Sequence, residues 1–170
     1  MHTRVFALTA AALAACGGGI TTTPGQSSSC SVTLSGAVTG TFNCQYATTA
    51  WASSNNLGAF AFSAAGPPAV TVAIGFTGEP HTGAYKNTDA GAESGITVTN
   101  GSGASAQYWV ANVGDGSTPA GSYTLNFTSV SNAITVSNGK GYSVEGTLDA
   151  TLPAVSGTGA TGTVTLHATF

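Results

Sequence analysis

Charge is what this sequence has least of. Only 5% of its 170 residues are Asp, Glu, Lys or Arg, with three basic side chains against six acidic ones. A protein that grips phosphates needs a Lys/Arg footprint to displace counterions, so the composition excludes nucleic-acid binding. It gives no basis for attraction to anionic headgroups either. Cysteine is also scarce, with Cys16, Cys30 and Cys44 alone, and zinc sites need three or four converging Cys, His or acid ligands. Apolar runs are short. None reaches the roughly 20 residues that cross a bilayer as a helix, because Gly, Ser, Thr or Asn interrupts each one.

The first residues carry their own signal. Met1-His2-Thr3-Arg4 is weakly basic, and Val5 to Ala15 is uncharged and rich in Ala, Leu, Val and Phe. That is the layout of a secretory signal. It ends Leu13-Ala14-Ala15-Cys16, followed by three glycines. These four positions resemble the bacterial lipobox, and only residues 1–16 carry the resemblance. It implies cleavage after residue 15, diacylglyceryl attachment to the Cys16 thiol and acylation of the new amino terminus. Gly17 after the cysteine is what that family's sorting associates with the outer membrane of a two-membrane cell. Cysteine arithmetic agrees: an odd thiol in an exported chain calls for an explanation, and lipidation of Cys16 leaves Cys30 and Cys44 as an even pair in an oxidising compartment.

Residues 16–29, read as the lipidated cysteine and a Gly/Ser/Thr-rich tether, have no periodicity and too little apolar surface to offset ordering entropy. A flexible chain of this length spans about 20 Å. Residues 30–170 then form one domain of ordinary size. Its low charge does not imply disorder, because 42% of the chain is apolar and the apolar residues alternate.

Period-two runs recur between clusters of Gly, Pro, Asn and Ser. Val32 and Leu34 alternate with polar neighbours, then Phe42, Cys44 and Tyr46. Phe60 with Phe62, the set Val70, Val72, Ile74 and Phe76, and Ile96 with Val98 follow. An apolar-rich run covers Gln107 to Val113. Tyr123, Leu125 and Phe127 share a face, as do Tyr142, Val144, Leu148 and Leu152. Val164, Leu166, Ala168 and Phe170 oppose Thr163, Thr165, His167 and Thr169. About nine or ten short strands, each with one apolar face and a Thr-rich outer face, bury those faces best as two packed sheets. The expected fold is an all-β antiparallel sandwich, immunoglobulin-like or jelly-roll-like.

Positions 30 and 44 are equidistant from Ala37. A hairpin turn centred there would pair Val32 with Phe42 and Leu34 with Gly40, and would close a cross-strand Cys30–Cys44 disulfide worth about 3 kcal/mol. A disulfide between non-adjacent strands remains the alternative. Pro80 to Tyr85 and Pro119 to Tyr123 each place a Tyr just past a Pro/Gly turn, where its ring can fill a sandwich end while its hydroxyl meets backbone.

Chemistry is hard to find. Of the histidines past the signal, His81 falls in a turn and His167 on the outward parity of the last strand, with no Gly-x-Ser-x-Gly elbow to supply a nucleophile. The only loop acids suited to calcium are Asp89, Glu93 and Asp115, and Asp-Gly is ordinarily turn chemistry. Glu145 and Asp149 are expected as solvated carboxylates on one strand face. No metal, cofactor or catalytic group is therefore expected. Aromatics are the remaining means of binding. Trp109 should face the core and Tyr108 the outside, while Trp51 sits in a polar stretch read as lying between strands. Trp51, Tyr108 and Gln107 are the candidate contacts for a sugar.

Two readings follow. The first is a lipid-anchored envelope protein presenting a non-catalytic β-sandwich for a structural role or a protein partner, including self-association through strand edges that few charges guard. The second is a carbohydrate-binding module. An outer-membrane barrel is disfavoured, because its strands need about 9–11 residues and aromatic girdles.

Overall fold

Pairs of apolar residues two apart have to be buried against something, and here they bury against each other. The computed structural model describes residues 29–88, 94–113 and 121–170. Cys16 and the tether up to residue 28 lie outside these residues, as do Asp89, Glu93 and Asp115. Eleven antiparallel strands are present among the described residues, one or two more than the alternation implied. They are β1 (Ser31–Gly36), β2 (Gly40–Asn43), β3 (Gln45–Ala52), β4 (Leu57–Ala64), β5 (Ala69–Thr77), β6 (Gly83–Lys86), β7 (Ser94–Asn100), β8 (Gln107–Val113), β9 (Ser122–Val136), β10 (Gly139–Pro153) and β11 (Thr163–Thr169). The helical content is one 3-10 turn, Gly103–Ser105.

The strands form a sandwich of two layers. One runs β2-β1-β11-β10-β9-β6 and the other β10-β3-β4-β5-β7-β8. The expected inward residues are the buried ones, including Val32, Leu34, Phe60, Val72, Ile74, Ile96, Val98, Leu125, Leu148, Leu152 and Leu166. Across the layers, Phe127 of β9 meets Phe60 of β4 edge-on at 5.6 Å and Phe76 of β5 at 6.1 Å. Phe76 also meets Tyr85 of β6 at 4.6 Å. Trp109 is buried, as its place in the alternation required.

The first hairpin has the expected register. Val32 pairs with Phe42 and Leu34 with Gly40, and the Cys30–Cys44 disulfide joins the strands at a Cα separation of 5.0 Å. The run through Phe42, Cys44 and Tyr46 is not one strand, however. It breaks at Cys44, where the chain leaves β2 in one layer and enters β3 in the other. Trp51 accordingly belongs to β3 and not to a loop. Thr48, Thr49 and Ala50 carry too little apolar contrast to show a period, and pairing with β4 and β10 decides their conformation.

Strand β10 belongs to both layers. Its first residues, Gly139–Tyr142, pair with β3, and from Thr147 onward the same edge pairs with β11. Its other edge follows β9 throughout, with irregularities at Gly141/Tyr142 and Glu145/Gly146. The handover occurs at Gly146, whose N–H donates to the Phe170 carbonyl at 2.9 Å and whose carbonyl accepts from Phe170 at 3.1 Å. A β-carbon on Gly146 would fall on the Asn126 carbonyl oxygen and press the Phe170 ring.

Edges are handled by length and cover rather than charge. β2 and β6, at the two ends of one layer, have four residues each. β8 is overlaid by residues 154–162: Val155 N–H donates to the Tyr108 carbonyl at 2.8 Å, and the Trp109 indole N–H to the Thr161 carbonyl at 3.2 Å.

Two stability measurements follow. Gly146→Ala should lower the unfolding free energy by about 1–3 kcal/mol through forced overpacking, seen as an earlier urea midpoint; an unchanged midpoint would mean that the handover tolerates a side chain. Thr49 is buried with no partner for its hydroxyl among the described residues. Thr49→Val removes that unpaired group at nearly constant shape and should raise stability by about 1 kcal/mol.

Candidate functional site

The Thr-rich outward faces of the β2-β1-β11-β10-β9-β6 layer form a polar surface. Side chains on this face pair across strands in register. Ser35 and Thr165 hydroxyls lie 2.5 Å apart, Ser31 and Thr169 3.0 Å, and Thr33 and Thr41 3.4 Å. Part of this face is concave where Lys86 at the end of β6, with Asn87 and Thr88 after it, also lines it. The resulting open cavity, about 550 Å³, is lined by Thr33 and Ser35 of β1, Thr165 and His167 of β11, Asp149 and Thr151 of β10, and Ser122 and Thr124 of β9.

His167 and Asp149 are register partners on neighbouring strands, and the imidazole Nδ1 lies 2.6 Å from the Asp149 carboxylate. Asp149 is thus paired, not merely solvated. A carboxylate on Nδ1 is how a histidine is oriented as a base. The hydroxyl next in line across the sheet, Thr33, is engaged with Thr41, so no activated nucleophile completes the arrangement among the described residues. Both side chains are more than half exposed, at 53% and 62%. Their attraction is therefore weak, as for surface pairs generally, and its effect is to orient.

A second polar cluster lies at the start of β10. Lys140 Nζ donates to both carboxylate oxygens of Glu79, at 2.9 and 3.0 Å, and the buried Tyr142 hydroxyl donates to Glu79 Oε2. The Lys140 ammonium also stands 5.5 Å from the centre of the Trp51 ring, whose N–H donates to Asn56 at 3.1 Å. Glu79 is held below the usual carboxylate range by the Tyr142 hydrogen bond and then by Lys140. Burial, with the bond to Glu79 second, pushes Tyr142 up to about 12. This cluster clamps the β5–β6 connection onto β10. Sequence reasoning missed it because Glu79 stands some sixty residues from its partners, and no local pattern links them.

The three proposed sugar contacts do not come together. Trp51 lies on β3 and Gln107 and Tyr108 on β8, with β4, β5 and β7 between them, a separation of roughly 19 Å at ordinary strand spacing. Gln107 is also occupied: its amide donates to the Gly159 carbonyl at 3.0 Å and accepts from Asn100 at 3.2 Å. Tyr108 is half-buried under the segment that overlays β8.

The two Tyr corners differ. The Tyr85 hydroxyl accepts the His81 backbone N–H at 2.9 Å, as expected of a structural corner, and His81 is taken up by that turn. Tyr123 instead donates to the buried Ser94 hydroxyl at 2.8 Å, bonding the two layers to each other. Among the described residues, no group of three or more His, Cys, Asp or Glu is placed to hold a metal ion, and no helix is long and apolar enough to cross a membrane.

The clamp has a pH signature. Tyr142 is raised in the fold, so its contribution to stability is complete below the ordinary tyrosine range near 10 and is lost as pH rises toward 12. Alkaline titration of tyrosine absorbance should show one of the five tyrosines ionising last, and Tyr142→Phe should remove that step. Titration of all five in the ordinary range would contradict the clamp. Compared with known proteins, the chain matches no family model, no curated protein and no solved structure.

Proposed function

We propose that this chain is a lipid-anchored protein of the cell envelope, held at the outer membrane through Cys16. It presents a non-catalytic β-sandwich whose hydroxyl-lined face meets the partner. The address rests on the lipobox-like Leu13-Ala14-Ala15-Cys16 after a signal-like segment. The choice of face over edge rests on one observation: the outer strands β2 and β6 are only four residues long, and β8 is covered. Strand addition needs an accessible row of backbone groups, and these edges offer little. Self-association through strand edges therefore has less support than recognition by side chains on the open face.

Labelling cells that express the full chain with palmitate tests the anchor. The wild-type chain should take up label and sediment with membranes, while Cys16→Ser should do neither. An unlabelled wild-type chain that remains soluble would overturn the reading.

A further inference from the structure

We infer that the concave hydroxyl face is a binding site for an uncharged polysaccharide, with Thr33, Thr165, His167, Asp149 and Thr151 as its contact residues. The inference rests on the face-recognition reading above and adds the chemical class of the partner.

Four properties of the cavity select that class. Its volume of about 550 Å³ lies within the ordinary range for ligand sites. Its lining offers mainly hydroxyls, the Asn87 amide being bonded to Gly121 and Tyr123, and its apolar and aromatic residues, Ala150, Leu166 and Tyr123, are buried. An apolar ligand would therefore find backbone and polar groups, not greasy side chains. Its lining carries few charged groups, Asp149 with the His167 imidazole on its carboxylate, and Lys86. A polyanion would lack the basic cluster it needs, and a metal ion would lack a third ligand. What such a surface complements is a neutral molecule rich in hydroxyls.

Geometry points the same way. Outward side chains recur at about 4.8 Å across strands and about 6.7 Å along them, a grid on the scale of a sugar ring. The hydroxyl pairs Ser35–Thr165 and Thr33–Thr41 already exchange hydrogen bonds, and replacing those by bonds to ligand hydroxyls costs little net free energy. The His167–Asp149 bond uses Nδ1 and Oδ1. Nε2 and Oδ2 make no hydrogen bond among the described residues, so each can meet a ligand hydroxyl. The cavity is open and not enclosed, which suits a chain laid across strands β1, β11 and β10.

Recognition here is by hydrogen bonding without an exposed aromatic platform, since Tyr123 of the lining is buried. Trp51 and Trp109 belong to the other layer, which separates this site from stacking on Trp51.

The test is affinity electrophoresis of the full chain in gels containing soluble β-glucan, galactomannan, arabinoxylan or, as the charged comparison, dextran sulfate. At least one neutral polymer should retard the protein. Thr33→Val with Thr165→Val should weaken that binding about tenfold, as expected for the loss of one or two hydrogen bonds. Thr71→Val on the exposed face of β5 should leave it unchanged, and tryptophan emission should not respond to the polymer. The double variant keeps β-branched side chains at exposed positions, so its melting temperature should match the wild type. Retardation by dextran sulfate alone, no retardation at all, or neutral-polymer binding that the double variant retains would each overturn the inference. Polymer-dependent protection of Trp51 would move the site elsewhere and overturn it too. Palmitate labelling of the same cells keeps the two readings apart. Labelled protein without polymer binding defeats only the glycan site, and polymer binding without label defeats only the anchor.

Discussion

Everything in this fold depends on β10 being shared. A single strand of 15 residues pairs with β3 at its start and β11 at its end, along one edge, while β9 follows its other edge. Two sheets that merely stack are held by side-chain packing. Here backbone hydrogen bonds also run from one sheet into the other. The handover demands a residue with no side chain at Gly146, because the Asn126 carbonyl and the Phe170 ring close in from two sides. The aromatic cluster around Phe127 then fills the space between the layers next to that point.

The scarcity of charge shapes the rest. The two ion pairs described, Lys140–Glu79 and His167–Asp149, stand where geometry has to be held. Lys140 and Glu79 fasten the β5–β6 connection to the start of β10, and Glu79 accepts the Tyr142 hydroxyl. His167 and Asp149 fix each other's orientation on the open face. On the same face, hydroxyls pair across strands in the same registers that pair the backbone. Edge protection follows the same economy. Natural sheets often guard edges with lysine, whereas this one shortens two of its edge strands and covers β8 with the segment that leads into β11.

These choices bear on function. A surface of neutral hydrogen-bonding groups discriminates by the arrangement of donors and acceptors, with no long-range electrostatic steering. In the reading proposed above, a face of that kind would work because a polymer at the envelope surface is abundant near a protein tethered to the membrane.

How much was legible beforehand can be judged residue by residue. Strict alternation, as in Val70 to Phe76 and Val164 to Phe170, revealed strands and their buried faces, because a strand's side chains change sides at every residue. The symmetric placement of Cys30 and Cys44 about Ala37 pointed to the first hairpin's register, and the pairing of β1 with β2 has it. Where contrast faded, as at Thr48 to Trp51, the local pattern fell silent and partner strands decided. The cavity and the Glu79 clamp were out of reach, since both gather residues from strands far apart in the chain. Local composition and period thus determined the all-β class and one disulfide. Tertiary structure alone decided that β10 serves two layers, that Gln107 straps a loop, and that threonines from four strands line one concave face. Periodicity reports which side of a strand a residue occupies, and only strand order reports which residues become neighbours.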